Sequence, residues 1–208
     1  MTAWRDHFPL GMHDSSPVES EEETSSKEAF EYKSLDQTAD SFRLIKVLPY
    51  RSPDGHLQLA LWHDVVSSAS YHCLSYRWGV QTSHRTVLLN GKLFTVGANL
   101  HCFLEELYAR IQKPNAELDG AIWIDSISIN QTSLRERNHQ VQRMGNIYAS
   151  AAGVLVWLGK QNISDELHHW LLSSTDSNDS SLWIECSETV RDQWNSLRWN
   201  PYWYRAWM

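Results

Sequence analysis

The sequence predicts an α/β fold with a mostly parallel central sheet flanked by helices and an added β-hairpin. Two continuous apolar runs, at 121–124 and 153–158, are typical of short strands buried on both faces of a sheet. A helical pattern lies between them, and strand, helix and strand in this order indicate a parallel βαβ unit. Asn90-Gly91 separates two further strand-like runs, and since both residue types tolerate positive φ, it predicts a type I′ hairpin.

The first predicted elements are strands. Apolar-rich runs at 42–48 and 57–62 flank a turn signal at 52–55, so they predict two early strands joined by a tight connection. Residues 71–76 predict a third strand, which ends at Trp78 and the following glycine.

Two helices are predicted between the later strands. Apolar residues repeat at helical spacing over 100–111 behind Asn99, the predicted N-cap. A second helix opens at Ser133, which stands at capping-box spacing from Glu136. Its predicted core face consists of Leu134, Val141, Met144 and Tyr148.

Composition divides this chain of 208 residues into four regions around one core. Residues 1–40 contain three Lys/Arg and ten Asp/Glu, whereas the remainder contains fifteen of each. This acidic leader has too little apolar content to offset its ordering entropy, so we predict that it is disordered. Residues 41–172 form the predicted core, 173–181 a polar loop or linker, and 182–208 a Trp-rich part of the same domain.

Several functional classes are disfavoured. The region after the leader has no excess of Lys/Arg, so no nucleic-acid partner is predicted. We expect a cytoplasmic protein without a membrane span, because the chain shows neither a signal peptide nor a run of roughly 18 apolar residues. The cysteines, Cys73, Cys102 and Cys186, lie far apart, and no histidine or carboxylate spacing is typical of a metal site, so neither a disulfide framework nor a metal is predicted.

Three segments together resemble the fungal heterokaryon incompatibility (HET) domain family. They are residues 71–79 (YHCLSYRWG), residues 123–131 (WIDSISINQ) with Glu136-Arg137 and Gln140-Val141, and Trp157-Leu158-Gly159. The resemblance covers about residues 42–160. Cys73, Ser126 and Ser128 differ from the residues usual in the family but keep their size class.

The C-terminal residues carry a further part of the resemblance. Residues 200–207 are similar to the family's Trp/Arg-rich closing motif, which normally continues into a Gln-Glu pair. This chain ends at Met208, before that pair, so we expect a C-terminally truncated domain.

The resemblance implies a role in fungal non-self recognition, a form of innate immunity that leads to programmed cell death. Protein partners in incompatibility signalling are implied, with self-association as a further option. The family is remotely TIR-like, and some TIR domains cleave NAD with a glutamate. Glu136 is therefore the candidate catalytic residue of an NAD glycohydrolase-like activity, with NAD as substrate and no cofactor otherwise predicted. A non-enzymatic assembly module and an inactive truncated paralogue are the alternatives.

Candidate ligand-binding residues follow two predicted strands, at the edge where parallel strands end and ligands bind. They are Ser75, Tyr76, Trp78 and Gly79 after one strand, and Asp125, Asn130, Gln131 and Arg137 after the other. Together they offer the aromatic ring, amides, carboxylate and cation that a nucleotide needs. Structural roles compete with this hypothesis. Glu136 also fits a helix cap, Asp125 a loop cap, and Trp78 a core position.

Overall fold

The computed structural model describes residues 28–36, 40–79, 82–114, 120–161, 163–174 and 187–204. Most of the predicted leader, most of the predicted linker and the end of the closing motif lie outside the described residues. None of the helices within the described ranges is long and apolar enough to cross a membrane.

The described part of the chain forms one seven-stranded sheet between helices, in the order β5-β4-β2-β1-β6-β3-β7. The strands are β1 (Ser41–Arg51), β2 (Leu57–Val65), β3 (Tyr71–Tyr76), β4 (His84–Leu89), β5 (Lys92–Gly97), β6 (Ala121–Trp123) and β7 (Gly153–Trp157). The α/β class is therefore confirmed.

The expectation of a mostly parallel sheet is only partly confirmed. Strand pairs β2–β4, β3–β6 and β3–β7 are parallel, whereas β1–β2, β1–β6 and β4–β5 are antiparallel. Short connections explain two of the antiparallel pairs, β1–β2 and β4–β5, because a tight turn can join only antiparallel neighbours. Asn90 and Gly91 connect β4 to β5 with φ values of 51° and 80°, which confirms the predicted hairpin turn.

Helices cover the sheet and link its parallel strands. They are α1 (Ala98–Ile111), α2 (Asp125–Ser128), α3 (Leu134–Ala149), α4 (Asp165–Ser174) and α5 (Glu188–Arg198), followed by a 3₁₀ turn at Pro201–Tyr204. The predicted cap of α1 is wrong, because Gly97 occupies the N-cap and Asn99 already lies in the first turn. The single-turn helix α2 was not predicted.

The N-terminus of α3 is as predicted, but its core face is not. Ser133 is the N-cap, and its Oγ accepts the backbone N–H of Glu136 at 3.3 Å. Leu134 and Val141 are 61% and 52% exposed, so the predicted face is wrong at these two positions. The helix instead buries Glu136, Gln140 and Ile147. Two of these are polar, and burial is tolerated where polar groups find hydrogen-bond partners.

The core has two halves, one on each face of the sheet. Side chains alternate along β1, so Phe42 and Leu44 join the half that includes Ile147 of α3. Ile45 and Val47 join the half covered by α1. Arg43 lies on the same face of β1 as Ile45 and is fully buried although its side chain is charged.

The end of the predicted leader packs on the domain. Residues 28–36 contact β5 and the sheet face, with Phe30 and Tyr32 half-buried and Leu35 buried. The prediction of disorder therefore does not hold for these nine residues. The prediction is based on the average composition of residues 1–40, which is acidic. It overlooks a short stretch in which apolar and polar side chains alternate, as they do in an extended segment that packs on one face.

Candidate functional site

Three parallel strands end at the same edge of the sheet. β6, β3 and β7 are neighbours, and the segments that follow them are the three that carry the sequence motifs. In open α/β sheets ligands bind beyond the carboxyl ends of strands. The segments after β3 and β6 therefore lie at one edge of the sheet, as a shared site would require.

Trp78 and Asp125 come together at this edge. The indole Nε1 of Trp78 donates to Asp125 Oδ2 at 3.0 Å, and the Trp78 side chain is 41% exposed. Gly79 follows with φ of 78°, a conformation that favours glycine. Asp125 Oδ1 accepts the backbone N–H of Ser126 at 2.7 Å, so this carboxylate also supports the start of α2.

Ser75 and Tyr76 connect motif segments through their hydroxyls. Tyr76 Oη and Ser126 Oγ share a hydrogen bond of 2.6 Å, and Ser75 Oγ shares one of 2.7 Å with Tyr202 Oη. Both residues are buried. Their assignment as ligand contacts stays a prediction, beside this structural use.

The other candidate residues shape or flank the loop after α2. Asn130 Oδ1 accepts from the backbone N–H and the hydroxyl of Thr132, and Gln131 Nε2 donates to the Asp125 carbonyl at 2.9 Å. Arg137 is exposed in the first turn of α3. These amides hold the loop in place, while the arginine faces outward.

Glu136 is buried in an ion pair with Arg43. Its Oε1 lies 2.6 Å from Arg43 Nη1 and its Oε2 lies 3.0 Å from Nη2, while the Asn130 N–H donates to Oε1 at 2.7 Å. The side chain of Arg43 is 0% exposed and that of Glu136 is 6% exposed. Burial alone would raise the pKa of Glu136, but the hydrogen bonds from Arg43 and Asn130 outweigh it and lower the pKa.

The capping-box alternative for Glu136 is half realised. The backbone N–H of Glu136 is capped by Ser133, but the carboxylate turns to Arg43 and Asn130. The Ser133 N–H donates instead to the Asn130 carbonyl at 3.2 Å.

Arg43 is the residue that the sequence analysis missed. Its guanidinium uses all five N–H donors, which a buried arginine requires. Besides Glu136, the acceptors are His63 Nε2 at 3.3 Å, the Ser128 carbonyl at 3.0 Å and the Lys33 carbonyl at 2.7 Å. One arginine thereby joins β1 to β2, α2, α3 and residues 28–36. The available signal was a charge inside the apolar run 42–48.

Register places this ion pair at the same edge of the sheet as Trp78. Ile45 of β1 pairs with Ile122 of antiparallel β6, so Arg43 lies two residues further, beyond Trp123 at the carboxyl end of β6. The edge therefore carries two polar pairs, one buried and one accessible.

A small cavity borders the accessible pair. It has a volume of about 120 Å³ and is lined by Tyr76, Trp78, His84, Thr95, Val96, Gly97 and Ser126. Sites for drug-sized ligands usually measure about 300–1,000 Å³. The cavity can therefore hold a few water molecules or a small group, but not a dinucleotide. Within the described ranges, no three His, Cys, Asp or Glu side chains are grouped to hold a metal.

The start of the closing motif docks beside this site. Asn200 is buried, and its Nδ2 donates to the carbonyl of Leu158 after β7 at 2.9 Å. Tyr202 reaches Ser75 of β3, as described above. Further contacts of this part come from Val190 of α5, which is buried, and from Trp194, whose ring contacts that of Trp170 of α4, whereas Trp199, Trp203 and Tyr204 are exposed.

Comparison with known proteins gives two matches. The family model for the heterokaryon incompatibility protein (HET) matches residues 71–208. Heterokaryon incompatibility protein 6, OR allele, from Neurospora crassa is 34% identical over 144 residues, which cover 62% of this chain and 21% of that relative. The aligned region thus spans about a fifth of the relative's length. No solved structure matches the chain.

Proposed function

Since this chain belongs to the heterokaryon incompatibility (HET) family, we propose that it acts in fungal incompatibility as a module of non-self recognition and programmed cell-death signalling. The name of the Neurospora relative supports this role. In this proposal the module works in the cytoplasm. It signals through contacts with protein partners and does not need to cleave NAD.

The hydrogen bonds of the Glu136 carboxylate are the observation that favours an assembly mechanism over catalysis. A catalytic carboxylate that stabilises an oxocarbenium-like transition state must face the substrate. Both oxygens of Glu136 instead accept hydrogen bonds from buried protein groups. Removing one partner of a buried ion pair costs roughly 3–5 kcal/mol, so a substrate would have to offset a large loss before catalysis began.

Exposed aromatic side chains support a role in protein contacts. Trp199, Trp203 and Tyr204 lie together near the closing turn, each more than half exposed. An apolar cavity of about 360 Å³ adjoins them, lined by Leu158, Trp194, Leu197, Arg198 and Trp203. Large exposed aromatic rings beside apolar pockets are typical of protein interaction surfaces.

Growth arrest in a fungal host tests the proposal. Inducible expression of Trp199→Ala/Trp203→Ala should abolish arrest if this surface binds the partner. The matched control is Arg43→Met/Glu136→Met, which removes the carboxylate together with its charge partner and should retain arrest. Loss of arrest in the folded control, with arrest retained in the tryptophan variant, would overturn the assembly mechanism. No arrest with the folded parent chain would support the inactive paralogue.

An NAD-cleaving enzyme is the second candidate, favoured by the accessible Trp78–Asp125 pair at the carboxyl edge. Purified protein incubated with NAD tests it directly. Under our proposal NAD stays constant over time. NAD loss that disappears in Trp78→Ala and in Glu136→Gln, with both variants still folded at the assay temperature, would establish the enzyme instead.

A further inference from the structure

Residues 28–36, here called the strap, lie on the domain as an extended peptide. The side chains of Phe30 and Tyr32 are half-buried, whereas Ala29, Glu31 and Lys33 are exposed. This alternation has the period of two that extended chains show when one face packs and the other meets solvent. The strap therefore binds as a peptide ligand would, through alternate side chains.

The strap pairs with the edge of the sheet. Phe30 N–H donates to the Leu93 carbonyl and Leu93 N–H donates to the Glu28 carbonyl, both at 2.9 Å. Lys92 Nζ forms an exposed ion pair with Glu28 at 2.9 Å. Adding a strand to an exposed edge is a recurring mode of peptide recognition, in which backbone bonds give affinity and side-chain pockets give specificity.

Two aromatic side chains anchor the strap in the groove beneath it. The rings of Phe30, Tyr32 and Phe94 form edge-to-face contacts with centroids 5.0–6.1 Å apart. Tyr32 Oη donates to the Ile127 carbonyl at 2.8 Å, and its ring lies 4.8 Å from the guanidinium carbon of Arg43. The groove thus provides an aromatic wall, a carbonyl acceptor and a cation.

The strap underfills this groove. A cavity of about 290 Å³ remains beside it, between Phe30 and Lys33 on one side and Trp62 and His63 on the other. In the described residues the strap also makes a single bridge to β5, at Ala29 and Leu93, although β5 is six residues long. A longer or bulkier extended segment would gain both backbone bonds and buried apolar area over the strap.

We propose that the groove is a peptide-binding site, occupied here in cis by the strap and open to an extended segment of a partner protein. The fitting sequence has an acid, then aromatic residues two and four positions later, as in Glu28, Phe30 and Tyr32. Lys92 selects the acid, and the groove selects the rings. The inference rests on the proposed function in one respect only, that the partner is a protein.

Peptide binding to the full chain tests this inference. A fluorescently labelled peptide of residues 28–36 is titrated into Phe30→Ala/Tyr32→Ala protein, whose strap is weakened, and into the parent protein. We expect at least about tenfold tighter binding to the variant, because the native strap competes in the parent. A peptide in which both aromatic residues are alanine should bind about tenfold more weakly, whereas a Glu31→Ala peptide should bind as well as the original.

Equal binding of the original and alanine peptides, or no binding to the folded variant, would overturn the proposal. If the variant does not fold, amide hydrogen exchange of the parent protein tests whether the strap leaves the groove. The amides of Phe30 and Leu93 should then exchange by local opening, at least about tenfold faster than amides in the centre of β1. Exchange at the rate of β1 would overturn the proposal. Both measurements use purified protein, so their failure is distinct from a failure of the growth-arrest test.

Discussion

Arg43–Glu136 and Trp78–Asp125 are two polar pairs at one edge of the sheet, and they differ in burial. The first is withdrawn from water and satisfied by hydrogen bonds on every donor of the arginine. The second joins a partly exposed indole to a carboxylate that also accepts the backbone N–H of Ser126. Motif residues at the same edge therefore serve different purposes. The buried pair fixes the position of the loop after α2, whereas the second pair presents an indole ring to solvent.

Replacing Glu136 should give the largest effect. Glu136→Gln leaves the Arg43 charge buried without its counter-ion, so the free energy of unfolding should fall by roughly 3–5 kcal/mol. Urea denaturation measures this loss. Arg43→Met/Glu136→Met removes both charges and should recover the part of this loss that comes from the unpaired charge, while the carbonyls of Lys33 and Ser128 and the Asn130 N–H lose their partners. A stability close to that of the parent in Glu136→Gln alone would mean that the pair is not a structural element.

Removing one hydroxyl from the strap should have a moderate effect. Tyr32→Phe keeps the ring over Arg43 but loses the hydrogen bond to the Ile127 carbonyl, so the free energy of unfolding should fall by about 0.5–1.5 kcal/mol. Tyr50→Phe, at an exposed side chain of β1, is the matched control and should change nothing measurable. An equal loss in both variants would contradict a specific role for the Tyr32 hydroxyl.

Acidification should weaken the buried pair and its neighbour in two steps. Burial, followed by the charge of Arg43, lowers the pKa of His63 from 6.5, so folding disfavours its protonated form and stability falls as the pH drops below about 6.5. The pKa of Glu136 is also lowered from 4.5, so its contribution is present above 4.5 and is lost as the pH falls through the folded value.

Urea midpoints between pH 8 and pH 3 measure both steps. His63→Asn should flatten the curve between pH 7 and pH 5 and leave the fall below pH 4.5 in place. An unchanged slope in His63→Asn would assign the first step to another group.

Asp125→Asn should have the smallest effect on stability. The amide oxygen can accept from Trp78 or from Ser126 but not from both, and water can take the other bond at this partly solvated site, so the free energy of unfolding should fall by no more than about 1 kcal/mol. Thermal unfolding of Asp125→Asn, compared with that of Glu136→Gln, measures the difference in stability contributed by the two pairs. A loss as large as that of Glu136→Gln would remove the distinction between them.

Local patterns account for what the sequence predicted correctly. The hairpin at Asn90-Gly91, the turn at 52–55 and the cap at Ser133 all depend on residues within a few positions of one another. Such features can be found from a single sequence, because turn and cap chemistry is short-range.

The features that were missed depend on distant partners. Glu136 is predicted to be a catalytic residue or a helix cap, and its ion pair escapes the prediction because Arg43 lies 93 positions away and nothing local connects the two. Asn99 is predicted to be an N-cap, but its side chain donates to the Arg77 carbonyl and accepts from Trp157 Nε1, and so ties the ends of β3 and β7 together. The core face of α3 is predicted wrongly for the same reason. Its buried polar residues, Glu136 and Gln140, have hydrogen-bond partners on β1 that are distant in sequence.

Arg43, whose five N–H donors are all used in the folded protein, also constrains the order in which the protein can fold during synthesis. Arg43 leaves the ribosome 93 residues before Glu136, an interval of about 5 to 20 seconds at ordinary elongation rates. Over that interval β1 carries a charge with no counter-ion, and burying such a charge is costly. We expect β1 and β2 to stay solvated at this end until α3 has been made, so that the sheet closes around its central strand late and in a single step.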